Sequence, residues 1–141
     1  MGIAITEREW FLAEVSGGVI AKTSTWQHSA AIATPGVSTD AVSAAGAAFR
    51  KHLKEVGFSA KHAIVGLPAK WITARPWQVP PATGSAAASI LRLVAERQFP
   101  PELKDFIFDY AGATHPAQPT TVLLAGTSQQ RINQFMAIAD A

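Results

Sequence analysis

Residues His62 to Pro81 read HAIVGLPAKWITARPWQVPP, and this stretch decides how the chain is divided. Its start, Ala63-Ile64-Val65, is a short apolar run typical of a buried strand. Gly66-Leu67-Pro68 then ends that strand, because Pro68 has no amide to give to a ladder. A second extended segment, Trp71 to Val79, follows almost at once. We therefore expect one compact unit at residues 1–68 and another at residues 69–141.

The composition indicates a folded protein and excludes several kinds of site. The chain has 141 residues, of which 48% are hydrophobic and 16% charged, far from a disordered composition. This apolar balance leaves open whether a partner or further chain covers part of the surface. The net charge is +2 with scattered Lys and Arg, which does not favour nucleic acid. Because there is no cysteine, disulfides, thiolate metal sites and cysteine catalysis are excluded.

The sequence shows no segment of the kind that crosses or is exported through a membrane. No apolar run approaches the ~20 residues that span a bilayer. The first residues, MGIAITEREWF, lack the basic start and the long apolar core of a signal peptide. The absence of cysteine also suits a reducing compartment.

The first unit is predicted to hold a meander of three strands, then a helix and a fourth strand. The strands are expected at Gly2–Thr6, Trp10–Val15, Val19–His28 and Lys61–Val65. Gly17-Gly18 fits a hairpin turn, which argues against a helix starting from the capping-box pattern at Thr6–Glu9. A helix capped by Ser38 or Thr39 should end at Gly57, with an apolar face at helical spacing.

The second unit is predicted to have the order strand, helix, strand, strand, helix. Pro76 argues that the first strand lies at an edge or carries a bulge. The other boundaries are a helix from Thr83-Gly84-Ser85 to Phe99-Pro100-Pro101, strands at Asp105–Ala111 and Thr120–Thr127, and a helix from Ser128. The last helix meets Ala141 without a capping residue, so we expect a longer natural chain.

Several short segments resemble bacterial actin-like proteins of the PilM type, from type IV pilus assembly, and more distantly the GspL type of type II secretion. The segments that carry the resemblance are Gly66-Leu67-Pro68, Ile72-Thr73-Ala74-Arg75, Val79-Pro80, Ala95-Glu96-Arg97-Gln98-Phe99-Pro100, Phe108-Asp109-Tyr110 and Val122-Leu123-Leu124-Ala125-Gly126. The opening hairpin, Met1 to Val15, looks like the start of the actin-like core. Each motif is short, although together they span the chain.

The resemblance implies an α+β fold: a partial actin-like (ribonuclease H-like) unit of meander, helix and strand, followed by a strand-helix-strand-strand insert. It implies a non-enzymatic scaffold, cytoplasmic and peripheral to the inner membrane through its partners. Those partners would include a short N-terminal peptide of a membrane protein, held in a groove between core and insert, and a secretion ATPase. No cofactor is implied, and a homodimer is left open.

One departure from the family concerns the loop that would hold nucleotide phosphate. PilM-like chains usually open with an Asp, a hydrophobic residue, Gly and small hydroxyl residues, whose amides cradle phosphate. Here the matching positions are Ala4 and Ile5, followed by Thr6, Glu7, Arg8 and Glu9. The metal-orienting acid and the glycine are missing, and two carboxylates would repel phosphate. A nucleotide-binding actin-like ATPase is therefore the alternative reading, and the degenerate loop argues against it. A second departure is Val94, where the family helix commonly has Glu.

The residues most typical of a binding surface are Trp71, Arg75 and Trp77. On an unbulged strand they share one face, and aromatic and arginine side chains dominate binding hot spots. The same row could instead pack the insert, with the Arg75 head reaching water. We see no catalytic constellation and no metal motif. The four histidines lack ligand spacing, and Asp109 is expected on the solvent face of a strand. A small self-sufficient α+β domain is a third reading.

Overall fold

A computed structural model describes residues 1–29, 32, 34, 36–98 and 105–140. It is mixed α and β, as expected, with two sheets and three helices among these residues. The strands are β1 (Gly2–Ile5), β2 (Glu9–Ser16), β3 (Val19–Gln27), β4 (Ile64–Gly66), β5 (Thr73–Val79), β6 (Phe106–Ala111) and β7 (Thr120–Ser128). The helices are α1 (Thr39–Val56), α2 (Gly84–Gln98) and α3 (Gln129–Ala139). The predicted helix stop at Phe99-Pro100-Pro101 lies outside the described residues.

The described residues form two compact units, one of which is interrupted in sequence. The first unit is Met1–Ala69 together with the residues from Gln130 onward, and the second is Lys70–Gln129. From the sequence, the last helix is predicted to belong to the second unit. In the structure Phe135 of α3 packs on Trp10 of β2, with ring centroids 5.7 Å apart, and this burial groups the helix with the first unit.

The first unit contains a four-stranded sheet in the order β3-β2-β1-β4, in which only the β1–β4 pair is parallel. The expected meander is present, and Gly17 and Gly18 make its second turn with φ of 59° and 81°. Both values are positive, as a two-residue hairpin loop of the primed type requires. Thr6–Glu9 is a turn between strands rather than the start of a helix.

One face of this sheet carries the core of the first unit. Successive side chains of a strand point to opposite faces, so the buried residues alternate with exposed ones. The buried members from the sheet are Ile3, Ile5, Trp10, Leu12 and Trp26, and they meet Val42, Ala45 and Phe49 of α1. Trp10 is 1% exposed, and its ring lies 4.9 Å from that of Phe49 in an edge-to-face arrangement.

Helix α1 begins and ends where the sequence predicts. Ser38 is the N-cap, and its hydroxyl accepts a hydrogen bond of 3.3 Å from the amide of Ala41. Gly57 has φ of 77°, and its amide donates to the carbonyl of Leu53. That conformation is left-handed, which glycine adopts without a side-chain clash.

The second unit is a three-stranded antiparallel sheet in the order β5-β7-β6, packed on α2. Its core contains a cluster of buried residues: Val79, Leu91, Ala95, Val122 and Leu124. Three aromatic residues of β6 recur at every second position, which is why they all face this core: Phe106, Phe108 and Tyr110. The expected order strand, helix, strand, strand is therefore present in residues 70–129. In the described parts of the chain, no helix is both long and apolar enough to cross a membrane.

Candidate protein-binding site

The three predicted binding residues do not all lie on one strand. The predicted strand started at Trp71, but β5 starts at Thr73, and Trp71 ends a short 3-10 turn at Ala69–Trp71. The Thr127 hydroxyl donates a hydrogen bond of 2.7 Å to the Trp71 carbonyl. The Trp71 carbonyl is therefore bonded to a side chain of β7 instead of to the β7 backbone, and Trp71 does not extend the β5 ladder.

Arg75 and Trp77 do share a face of β5. They pair with Leu124 and Val122 in an unbroken register, so no bulge intervenes at Pro76. This is the face that packs on α2, and Trp77 is half-buried against the core of the second unit. Arg75 is exposed, one step further along the same row.

The Arg75 guanidinium is available to a ligand. Among the residues that the structure describes, none forms a hydrogen bond or ion pair with this side chain. A free guanidinium beside an indole ring can take a carboxylate or a peptide carbonyl through its N–H groups, while the ring supplies apolar contact. The arrangement can therefore contact a carboxylate or carbonyl group and an apolar group at the same time.

The edge position predicted from Pro76 is confirmed, because β5 is an outer strand of its sheet. The amide of Gln129 donates to the carbonyl of Asp105 at 2.6 Å, which fixes the hydrogen-bonding phase of the β6–β7 pair. In an antiparallel ladder this phase alternates along each strand. It follows that position 76 faces away from β7, where the missing amide breaks no bond.

The backbone amides of Arg8 and Glu9 in the β1–β2 turn are hydrogen-bonded within the turn itself. The Thr6 hydroxyl donates to the Glu9 carbonyl at 2.7 Å and accepts from the Glu9 amide at 3.1 Å. The Arg8 amide also points at this hydroxyl, at 3.5 Å. A phosphate cradle needs free amides. In this turn Thr6 occupies the amides that a phosphate would use, and Glu7 adds a carboxylate beside them.

Three of the four histidines, His28, His52 and His115, have a hydrogen bond at one ring nitrogen. His52 of α1 and Ser24 of β3 share a hydrogen bond of 2.9 Å, and His115 Nδ1 accepts from the amide of Ala117. His28 Nδ1 lies 2.9 Å from the Ser29 carbonyl. Within the described residues there is no group of three or more His, Asp or Glu that could hold a metal ion.

The sequence analysis did not predict the hydrogen bond that the Asp109 side chain forms with the backbone. Its carboxylate accepts a hydrogen bond of 2.8 Å from the amide of the next residue, Tyr110, on the outer edge of β6. The side chain is exposed, as expected. An Asp within a strand of alternating aromatics was the available signal, since Asp is disfavoured in strands unless its carboxylate has a local role.

Two solved structures are similar to this fold. Over 99% of its length the chain matches 43% of a chain in a PilM–PilN type IV pilus biogenesis complex, with a TM-score of 0.82 and 19% identity. The fold of this chain is therefore similar to that 43% of the matched chain in the PilM–PilN complex. The chain also matches the cytoplasmic domain of EpsL, an inner-membrane component of the Vibrio cholerae type II secretion system. There the TM-score is 0.59 and the identity 9%, over 99% of this chain and 51% of that one.

The resemblance seen in the sequence is therefore confirmed at the level of the fold. The chain spans less than two thirds of either similar chain. No protein-family model and no curated protein matches the sequence.

Proposed function

We propose that this chain is a non-enzymatic interaction module with an actin-like, PilM- and GspL-type fold. It would act in an inner-membrane pilus or secretion assembly and bind a short cytoplasmic peptide of a membrane protein. The observation that carries the proposal is the TM-score of 0.82 over 99% of the chain to a structure of the PilM–PilN complex. The EpsL likeness adds the secretion context. Membrane association would then be indirect, through protein partners such as that peptide or a secretion ATPase.

The geometry of the second unit supports peptide binding over catalysis. Arg75, whose N–H donors have no partner among the described residues, lies beside the half-buried Trp77 ring, and Arg and Trp are both enriched in binding hot spots. The β1–β2 turn supports the same choice, because Thr6 already occupies the amides that would otherwise face a phosphate. Catalytic and nucleotide roles are therefore not part of the proposal.

The test uses the full chain and a set of fluorescent 15-residue peptides. They correspond to the cytoplasmic N-termini of the inner-membrane pilus and secretion proteins encoded in the same genome. We expect one peptide to bind saturably, as measured by fluorescence anisotropy. Arg75→Ala should weaken it by about tenfold or more, the effect of removing a hot-spot residue. Arg75→Lys should recover part of the loss, since it restores the charge without the planar fork.

Matched variants separate binding from stability. Trp77→Phe keeps an aromatic ring in the core and should weaken binding without unfolding the second unit. Gln78→Ala alters the same strand on its opposite face, so binding should be unchanged. If no peptide binds, the proposal fails. If a peptide binds equally to the Arg75 and Trp77 variants, these residues are not the site.

A nucleotide titration separates the proposal from the ATPase alternative. ATP with magnesium is added to the chain, and binding is followed by tryptophan fluorescence. We expect no saturation at micromolar nucleotide. Saturable micromolar binding would overturn the non-enzymatic assignment.

A further inference from the structure

Arg75 is the one charged residue that the described strands of the second sheet place on the face packed against α2. Side chains on one face of a strand recur at every second position, so the register of the sheet identifies the members of this face. The uncharged members are Thr73, Trp77 and Val79 of β5, Thr120, Val122, Leu124, Gly126 and Ser128 of β7, and Phe106, Phe108 and Tyr110 of β6. On this face the strands therefore supply no carboxylate to Arg75.

The described acidic residues of the second unit do not neutralise Arg75 either. Glu96 lies on the exposed side of α2, where its carboxylate is 3.4 Å from Arg92. Asp109 pairs with Ala125 and so lies on the opposite face of the sheet, where it accepts from the Tyr110 amide. Asp105 lies just before β6, and no described residue forms a hydrogen bond or an ion pair with the Arg75 side chain.

Trp77 provides an apolar surface next to this charge. It follows Arg75 on the same face of β5, and two residues of a strand span about 7 Å. Its ring is half-buried against the core of the second unit. An apolar ligand group that covers the ring also excludes water beside Arg75. An ion pair at Arg75 is then stronger than a pair that is fully surrounded by water.

The β5 backbone is poorly suited to bind a peptide as an added strand. Ala74, Pro76 and Gln78 are the positions that face away from β7, and the central one has no amide to donate. A peptide that pairs with this edge would lack the middle hydrogen bond of the ladder. Side-chain contacts must then supply most of the affinity.

A carboxylate suits Arg75 better than a peptide carbonyl does. The guanidinium can donate two parallel hydrogen bonds to the two oxygens of a carboxylate, and charge-assisted hydrogen bonds are stronger than neutral ones. A carbonyl would leave the positive charge without a counterion while the ligand removes water from it, and such a charge is costly. A carboxylate neutralises the charge that the ligand covers.

We propose that the peptide bound at Arg75 and Trp77 carries an aspartate or glutamate whose carboxylate pairs with the Arg75 guanidinium. A large apolar side chain two residues away along the peptide packs on Trp77. An extended segment presents such side chains on one side about 7 Å apart, which matches the spacing of Arg75 and Trp77 on β5. This inference rests on the peptide-binding function proposed above, and it adds the chemistry of the ligand.

The test starts from the peptide that binds the full chain in the anisotropy measurement. Each Asp is replaced by Asn and each Glu by Gln, one at a time, which removes the charge and keeps the shape. We expect one replacement to weaken binding to the original chain by about tenfold or more. The same replacement should weaken binding to Arg75→Ala by less than about twofold, because the carboxylate then has no partner.

A charge reversal tests the pair directly. Arg75→Glu should weaken the original peptide at least as much as Arg75→Ala does, and Arg75 is exposed, so the core is left in place. A peptide with Lys at the coupled acidic position should bind Arg75→Glu better than the original peptide does. Arg92→Ala is the matched control, because Arg92 is an exposed arginine of the same unit that already pairs with Glu96. It should leave the affinity unchanged.

The apolar contact is tested in the same way. The large apolar residue two positions from the coupled acid is replaced by Ala and measured with the original chain and with Trp77→Phe. We expect the loss to be smaller with Trp77→Phe, because part of the contact is already missing there.

The outcomes separate this inference from the function on which it rests. If no peptide binds, both are overturned. If a peptide binds but every acidic replacement is neutral, or weakens the original chain and Arg75→Ala equally, the carboxylate pairing is overturned and the peptide-binding function stands. The apolar contact is overturned if the coupled acid has no large apolar residue two positions away, or if that residue shows no coupling to Trp77.

Discussion

The ring of Phe106 lies against the Cα of Gly126, on the neighbouring strand of the second sheet. A Cβ placed on Gly126 would come within 1.8 Å of Phe106 Cε1, far inside any real contact. Gly126 has no unusual backbone angle that would explain a glycine, so the ring is the reason for it. Glycine covered by a cross-strand aromatic is a known device in sheets, because the ring supplies the packing that glycine lacks.

Gly126→Ala is expected to destabilise the second unit by about 1–3 kcal/mol, the usual penalty for overpacking a core. The measurement is urea denaturation followed by tryptophan fluorescence. In a Phe106→Ala background the same substitution should cost much less, because the clashing ring has been removed. An equal penalty in both backgrounds would show that the ring is not the cause.

Leu91→Ala should destabilise the second unit by about 2–5 kcal/mol, because it leaves a cavity in the core. Leu91 is fully buried beneath the sheet, whereas Leu93 of the same helix is 57% exposed. Leu93→Ala is therefore the matched control, with an expected loss below about 1 kcal/mol. Amide hydrogen exchange in residues 70–98 and 105–129 is the readout. Similar losses for both variants would contradict the packing described for α2.

Glu14→Gln should remove an acid-sensitive part of the stability of the first unit. The Ser59 amide and hydroxyl donate to the Glu14 carboxylate at 2.9 and 3.0 Å. The hydrogen bond from the Ser59 amide lowers the pKa of Glu14, while burial opposes the shift by raising it. With a folded pKa below the unfolded one, the carboxylate stabilises the fold above the unfolded value of about 4.3. That contribution is lost as pH falls through the lower, folded value.

The measurement for Glu14 is Tm from pH 7 to pH 3, for the original chain and the variant. The Tm difference should be largest near neutral pH and should shrink as pH falls below about 4.3. Glu55→Gln is the control, since Glu55 is exposed and forms an ion pair with the exposed Lys51 along α1. A Glu14→Gln difference that stays constant with pH would contradict the assigned role.

Gln134→Ala is expected to destabilise the first unit by about 1–3 kcal/mol, because it removes a buried side-chain donor from the carbonyl of the buried residue Ile32. Gln134 is buried in α3, and its amide nitrogen donates to the carbonyls of Ile32 and Thr34. Gln130→Ala changes the same residue type one turn earlier, at an exposed position, and should have little effect. Thermal unfolding of both variants checks this. Equal stability of the two would mean that the bond contributes nothing.

The sequence predicted helix ends and turns correctly where a few neighbouring residues determine the local backbone conformation. Ser38 and Gly57 bound α1 as expected, and Gly17 with Gly18 marks a hairpin. In such cases the physical cause acts within a few residues, through a cap or a positive φ. Pro76 likewise indicates an edge or a bulge, because a proline has no amide for the ladder, and β5 is an edge strand with an unbroken register.

Features set by distant residues were not visible in the sequence. The pattern around Trp71 reads as a strand, but its carbonyl is bonded by Thr127, which lies 56 residues away. The apolar stripe of α3 gives no indication of which core it joins, and the structure places Phe135 on Trp10. The prediction that Trp71, Arg75 and Trp77 share one strand face is therefore correct for Arg75 and Trp77 and wrong for Trp71. Their role in binding stays a prediction.

The interruption of the first unit by residues 70–129 has a consequence during translation. The second unit is continuous, so a nascent chain holds all of it once Gln129 has left the ribosome. The first unit must wait for α3, since the Gln134 contact with Ile32 closes a loop of 102 residues. At ribosomal speeds of about 5–20 residues per second, the indole of Trp10 lacks its contact with Phe135 for several seconds. In a living cell, that delay makes the earliest-made half of the protein the one in greater need of a chaperone.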